Sequence, residues 1–433
     1  MPEPSAAVAV CVPARRRAAR AALAALALAI AGGCASPPSA VLTFSGSSVG
    51  REGEVIRRQL ARFAAAHPEL PVELRPTPDS ADQRHQLFVQ WLNARADDPD
   101  VLQLDVVWTP EFAAAGWIAP LDRFSPPADA FFAATVAAGR WRGQLYALPW
   151  FVDVGMLYRR TDLVAEAPPD LDTLAREAEV QRARGVPFGV VWQGARYEGL
   201  VTVFLEHLGA FGGAILDAEG RVVVDSPAAE RALAFMCDAV GQRGLVPAAA
   251  LAWQEEQTRF AFASGEAVFM RNWPYAYTLL DDPGTSRVAG RFAVSAWPAA
   301  PGGAATAALG GAVLAVNARS EQPDAAYALA EYLTAPAQML ERARIAGQFP
   351  SRAALYASTE LAEALPIPVD QARAVIERAV PRPVTPVYSQ LSEILQIALH
   401  RALTGQQAPG PALHDAATAM RALLARTGLG PAT

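Results

Sequence analysis

Lysine is missing from the chain: all 37 of its basic residues are arginine. That absence excludes a phosphate-binding loop ending in Gly-Lys, a pyridoxal Schiff base and a kinase-type catalytic lysine. Cysteine is nearly as scarce, with only Cys11, Cys34 and Cys237, and no pair stands at zinc spacing. The five histidines (His67, His85, His207, His400 and His414) are scattered and form no HExxH arrangement, so neither a metal nor a cofactor is expected. A basic face is also lacking. With a net charge of −6, the chain does not read as a nucleic-acid binder. What it has is apolar substance. Of its 433 residues 52% are hydrophobic and 18% charged, enough for two domains with cores of their own and inconsistent with general disorder.

The first segment reads as an address. Arg15, Arg16, Arg17 and Arg20 precede an uninterrupted apolar run of eleven residues, Ala21 to Ala31, too short to span a bilayer as a helix. Gly32, Gly33 and Cys34 follow, then a polar, proline-bearing stretch to Ala40. Basic block, short apolar core and small residues make a secretory signal. The cysteine after the small residues resembles the lipobox of bacterial lipoproteins, with Ala31 where leucine is usual. The resemblance implies a signal peptide over 1–33, acylation of Cys34 as the new N-terminus, a tether over 34–40, and an exported chain lipid-anchored at the cell envelope, in the periplasm or on the outer face of the cytoplasmic membrane. Without residues 1–33, which carry four arginines and Glu3, the chain has 33 basic and 42 acidic side chains, a net charge of −9. Cys237 then stands alone, so no intramolecular disulfide is expected. Ala234 to Cys237 reads as the buried face of a helix with an inert core thiol.

Along the mature chain, Val41 to Phe44 predicts a strand, and Val55, Ile56, Leu60 and Phe63 a helix that stops at His67-Pro68. Val72 and Leu74 alternate as a strand, Leu87, Phe88, Trp91 and Leu92 mark a helix, and Leu102 to Val107 a strand. This rhythm predicts a parallel sheet with helices on both faces. Further helices are expected over 226–242, 322–334 and 387–404, the last stopping at Gly405. No linker separates the two expected domains, which suggests lobes joined by several crossing strands.

Gly46-Ser47-Ser48-Val49-Gly50 fits the GxSxG nucleophile elbow, but it follows the first strand, so no earlier strand can supply an oxyanion-hole N–H. A strand-to-helix loop that offers N–H groups and hydroxyls to a polar ligand is the plainer reading. Asp105 sits near the carboxyl end of a buried strand, where open α/β sheets place their ligand crevice. Asp153 is a single carboxylate within the apolar run Leu148 to Gly155 and needs hydrogen-bond partners that a polyol could supply. In Arg271-Asn272-Trp273-Pro274-Tyr275-Ala276-Tyr277, Pro274 forbids a regular helix, so at least one ring should project from a loop. Rings beside scattered Asp, Glu, Arg and Asn suit carbohydrate: pyranose C–H faces stack on rings while hydroxyls meet acids, arginines and amides. Paired acids also suit a secreted glycoside hydrolase working through Asp105 and Asp153.

Several segments together resemble the extracellular solute-binding proteins of bacterial carbohydrate ABC importers (family 1), particularly the trehalose/maltose-binding group. They are Asp105 to Phe112 with Ala114 to Trp117; Ala147 to Tyr158; Val191 to Gly194 with Tyr197 to Leu200; Arg271 to Tyr275; and Pro381 to Pro386 with Tyr388 to Gln390. The resemblance implies a two-lobed α/β Venus-flytrap fold with discontinuous lobes, 41–152 plus 312–360 and 153–311 plus 361–433, hinged near 153–157 and 309–313. It implies no catalytic residue. It implies an oligosaccharide held between the lobes by Glu52 (or its rival Glu54), Arg84, Asp105 and Asp153, by Phe151, Trp273 and Tyr275, by Gly311 and by Arg382. Delivery would be to the transmembrane subunits of a permease with a cytoplasmic ATPase, by a monomer. Two positions depart from the group: Ala312 stands for its usual tryptophan and Phe151 for a frequent tyrosine. Losing an indole face and a phenol bears on which disaccharide fits.

Overall fold

The computed structural model describes residues 41–301 and 303–429; the signal segment, Cys11, Cys34 and the tether lie outside them. Two separate sheets organise the chain. The first begins as the sequence predicts. Leu42–Gly46 is buried throughout and pairs in parallel with Val72–Pro76 and Val101–Asp105. Between them run the helices Glu52–Ala66 and Ala81–Asn93. The first of these buries Val55, Ile56, Leu60 and Phe63 and carries Glu52 and Glu54 in its first turn, where the helix dipole favours acids.

Two expectations need correction. The third strand ends at Asp105, two residues short of the apolar pattern, because the Asp105 side chain accepts a hydrogen bond from Val107 N–H at 3.1 Å and turns the chain. Val106 and Val107 are buried all the same, as part of the turn that follows. Nor is the sheet parallel throughout: beyond its first three strands only the short Ala379–Val380, beside Ala307–Val316, pairs in parallel. Ala307–Val316 enters antiparallel beside Val101–Asp105, and Ala147–Val154 lies antiparallel beside it in turn. Phe349–Pro350 closes that edge.

The second sheet runs, in spatial order, Phe292–Ser295, Met156–Arg160, Ala267–Asn272 and Phe188–Val191. Ala147–Val154 of the first sheet and Met156–Arg160 of the second are thus separated by Gly155 alone. A Cβ at Gly155 would run into the Glu206 carboxylate and the Arg271 guanidinium, so the crossing requires glycine there. The chain returns from Phe292–Ser295 to the first sheet along Ala307–Val316, whose Gly310 faces Asp153 across the pair. The helices Tyr388–Leu403 and Pro409–Thr427 then pack against Glu198–Ala210 and Pro227–Val240, beside the second sheet. The result is a two-lobed α/β fold.

Pro227–Val240 also corrects the reading of Ala234 to Cys237. Four consecutive helical residues cannot share one face: Met236 is buried, while Ala234, Phe235 and Cys237 are half-buried. Burial still pushes the Cys237 thiol up to about 11, far from a reactive thiolate at neutral pH.

Candidate functional site

Three carboxylates converge where the sheets meet. Glu52 opens the helix after the Gly-Ser loop; it is buried, and its Oε1 accepts from the Gln348 side-chain amide while Oε2 has no hydrogen-bond partner among the described residues. Burial raises its pKa, against the pull of Arg342 and Arg84. Glu54 points elsewhere and pairs with Arg58 at 2.6 Å, so of the two rivals only Glu52 faces the space between the lobes. Asp105, at the carboxyl end of its strand, is held by Arg382 (Nη2 to Oδ1, 2.6 Å). Asp153, next to the last residue of its strand, has Oδ1 buried without a partner among the described residues. Desolvation, joined by the nearby charges of Glu52 and Asp105, pushes its carboxyl up to about 8.

The arginines face these acids. Arg84, on the helix Ala81–Asn93, is buried with its guanidinium over the Trp108 ring at 5.4 Å, and its Nε has no partner among the described residues. Arg382 is spread over two acids, giving Nη1 to Glu198 Oε1 at 2.8 Å as well as binding Asp105, and only its Nε is left without a partner among the described residues. Burial alone would lower its pKa, but Asp105 and Glu198 raise it instead.

The rings come from both sheets. Trp273 follows the last residue of Ala267–Asn272 and is half-buried. Arg271 covers one side of its ring at 3.8 Å, and the indole N–H donates to Glu255 Oε1 at 3.4 Å. Tyr275 is buried and donates to Glu256 Oε1 at 2.8 Å. Phe151 lies opposite Ala312 across the strand pair, so the two positions that depart from the trehalose/maltose pattern are neighbours on one wall. Next to them Gly311 has φ +115°, a conformation that side chains disfavour, and a Cβ there would meet the Phe151 carbonyl oxygen.

Together these walls enclose a chamber of about 200 Å³ lined from both sheets. All nine residues singled out in the sequence line it: Glu52, Arg84, Asp105, Phe151, Asp153, Trp273, Tyr275, Gly311 and Arg382. Sequence reasoning missed Asp79, Tyr197, Glu198, Glu255 and Glu256, which line it too. Glu255 and Glu256 begin the helix Glu255–Ala263, where acids are common for the sake of the helix dipole alone. Nothing local distinguishes them. Glu198 had a signal, since it lies within the family-like segment Tyr197 to Leu200, but it too opens a helix.

The same fold recurs in known proteins. Residues 47–340 match the family described as bacterial extracellular solute-binding protein. The chain belongs to that family. A probable ABC transporter-binding protein of Deinococcus radiodurans is 37% identical over 405 residues, spanning 90% of this chain and 95% of the relative. Among solved structures, maltose-bound MalE3 of T. maritima superposes with a TM-score of 0.85 at 40% identity, covering 89% of this chain and 100% of the other. The GacH receptor of Streptomyces glaucescens, solved unliganded and with acarbose, gives a TM-score of 0.80 at 25% identity, covering 89% and 98%. For an extracellular solute-binding protein, export to the periplasm or cell surface follows from membership, as do a sugar-type solute and an ABC permease as partner. The family and these neighbours are binding proteins, and the glycoside hydrolase reading finds no support among them.

Proposed function

We propose that this solute-binding protein captures an oligosaccharide, a disaccharide of the trehalose/maltose type, between its lobes and delivers it to the permease. One observation carries the reading: buried polar atoms without partners gather around a single chamber. Among the described residues the carboxyl oxygens Glu52 Oε2 and Asp153 Oδ1 and the donors Arg84 Nε and Arg382 Nε have no partner. A buried polar atom left unsatisfied costs about 1–3 kcal/mol. Sugar hydroxyls, each donor and acceptor at once, answer both kinds. Trp273, covered on one side by Arg271, offers its other side as a stacking surface, with Tyr275 and Phe151 nearby.

On this reading the lobes comprise 41–152 plus 312–360 and 153–311 plus 361–433, and ligand favours their closed arrangement because both contribute contacts. Acylated Cys34 anchors a monomer to the membrane. Maltose bound to MalE3 of T. maritima and acarbose bound to the GacH receptor support an α-glucoside. Calorimetry on residues 41–433 with maltose and trehalose tests the assignment. Micromolar or tighter binding of at least one is expected, with a loss of tenfold or more in Trp273→Ala. Binding by neither sugar, or an unaltered Trp273→Ala, would refute the disaccharide or the stacking role respectively.

A further inference from the structure

Behind the wall of the chamber lies a charge that neither the fold nor the ligand contacts explain. Arg342 is on the helix Pro336–Ala346 and is 1% exposed. Its guanidinium stacks on Trp150 at 3.8 Å from the ring centroid and stands 5.3 Å from that of Phe151. None of its three side-chain nitrogens has a hydrogen-bond partner among the described residues. Burying a cation is strongly unfavourable unless something compensates it, and an apolar side chain of similar volume would pack against Trp150 at least as well. The compensation is electrostatic. The acids that act on it are Glu52, Asp153 and Glu341, in that order. Glu341 is taken up by Arg62 and Gln59. That leaves Glu52 and Asp153, the two chamber acids with an oxygen that has no partner among the described residues.

Chain connectivity brings the same segment to both acids. Past the helix end, Gln348 gives its amide to Glu52, and Phe349–Pro350 pairs with Val152 and Phe151, the residues just before Asp153. We propose that Arg342 is a positioning residue of the sugar site, an internal counter-ion that favours the charged form of the Glu52 and Asp153 carboxylates against their burial and their mutual repulsion. The proposal rests on the reading of the chamber as a sugar site. A carboxylate only accepts, with about four lone-pair sites for hydroxyl donors, whereas a carboxylic acid gives up one of these to its own proton. Arg342 therefore biases the back of the chamber toward ligands that present hydroxyls there.

Other charges act on the same two groups. Asp153 is faced by Glu52 and Asp105, which oppose its ionisation, by Arg342 and Arg271, which favour it, and by the Tyr158 phenol. Glu52 is faced by Arg342 and Arg84 in its favour and by Asp79 against, with the Ser47 hydroxyl also lowering its pKa. Removing Arg342 takes away a favourable charge from both, so both should titrate at higher pH.

The test has two readouts. In ligand-free protein, carboxyl carbon NMR titrations of wild type, Arg342→Met, Arg342→Gln and Arg342→Lys are compared, with Glu52→Gln and Asp153→Asn assigning the two resonances. Both midpoints are expected to rise by about one pH unit in the neutral variants and to return toward wild type with lysine. Calorimetry with maltose and trehalose from pH 6 to 9 is the second readout. Affinity in the neutral variants should fall about tenfold at pH 7 and recover as pH rises, because the charged form is the one that binds. Thermal melting verifies that each variant folds, and having two neutral variants covers the failure of one. Unmoved midpoints would overturn the counter-ion role, as would an equal affinity loss at every pH. If wild type binds neither sugar while the midpoints move as expected, the sugar assignment fails and the counter-ion role of Arg342 stands.

Discussion

Asp153 holds the tension of the site in one side chain. Its neighbours in sequence, Leu148 to Val152, are those of a buried strand, and that setting makes a lone acid conspicuous in the sequence itself. The strand explains the titration: desolvation, with Glu52 and Asp105 close by, pushes the carboxyl up to about 8. In an unfolded chain an aspartate titrates near 3.9, about four units lower. Between those values the folded protein holds a proton that the unfolded chain has lost, so the contribution of Asp153 favours folding at low pH and fades as pH climbs toward 8. The melting temperature of ligand-free protein should therefore decline over about pH 5–8, and Asp153→Asn should flatten part of that decline. Glu52 and Glu198, raised by burial too, maintain a residual slope in the variant. An identical slope in both proteins would show that Asp153 titrates normally. Arg342 lies at the other extreme of legibility. In Glu341-Arg342-Ala343-Arg344 it looks like one charge among others on a solvated helix, and only the packing of Trp150 over it reveals a buried cation.

Among the elements, the strand Ala267–Asn272 has the most exacting attachment. Its Arg271 and Glu206, on the helix Glu198–Ala210, are both fully buried and joined by paired hydrogen bonds, Nη2 to Oε1 at 2.5 Å and Nε to Oε2 at 2.9 Å. Arg271 also donates to Gln193 Oε1 at 3.1 Å, and Glu206 accepts from the N–H of Ala308 on the returning strand at 3.3 Å. One ion pair thus ties a strand and a helix of the second lobe to a crossing segment, and the same arginine backs the Trp273 ring. Arg271→Met would leave Glu206 charged, buried and unpaired, at an expected cost of about 3–5 kcal/mol in urea unfolding. A loss below about 1 kcal/mol would mean that water reaches the site and relieves the charge. Element type was mostly readable from periodicity, as in the helix Glu52–Ala66 and the strand Leu42–Gly46. Boundaries and direction were less so. The strand before Asp105 ends through a side-chain turn, and the antiparallel entry of Ala307–Val316 depends on a partner some two hundred residues away.

Across the whole molecule, the lobes meet through polar contacts as well as through the crossing strands. Asp82 accepts from the Glu198 N–H and from the Gln396 amide, each at 3.1 Å, and Glu111 accepts from the Ser389 hydroxyl at 2.8 Å. These contacts border a second polar cavity of about 530 Å³ beside the chamber. On the proposed reading that ligand closes the lobes, contacts of this kind suit a clamshell better than a continuous apolar seam would, because water can replace them when the lobes part. The proposed anchor also belongs to this scale. Several acyl chains at Cys34 would meet the two-signal threshold for stable membrane attachment. In a detergent phase separation the exported wild-type chain should enter the detergent phase and Cys34→Ala the aqueous one. Aqueous partition of wild type would remove the anchor.

The sequence alone determined the alternation of strand and helix, the likeness of its first segment to an export signal, and the presence of acids and rings where apolar runs should have been unbroken, because hydrophobic period and local residue chemistry are properties of short stretches. Tertiary structure decided which acids face one another. It turned Glu52 inward and Glu54 out to Arg58, set Ala312 opposite Phe151, brought Glu198 and Glu255 to the chamber, and placed Arg342 behind its wall. The physical reason is that burial and neighbouring charge, which give these groups their properties, arise only when distant segments pack together.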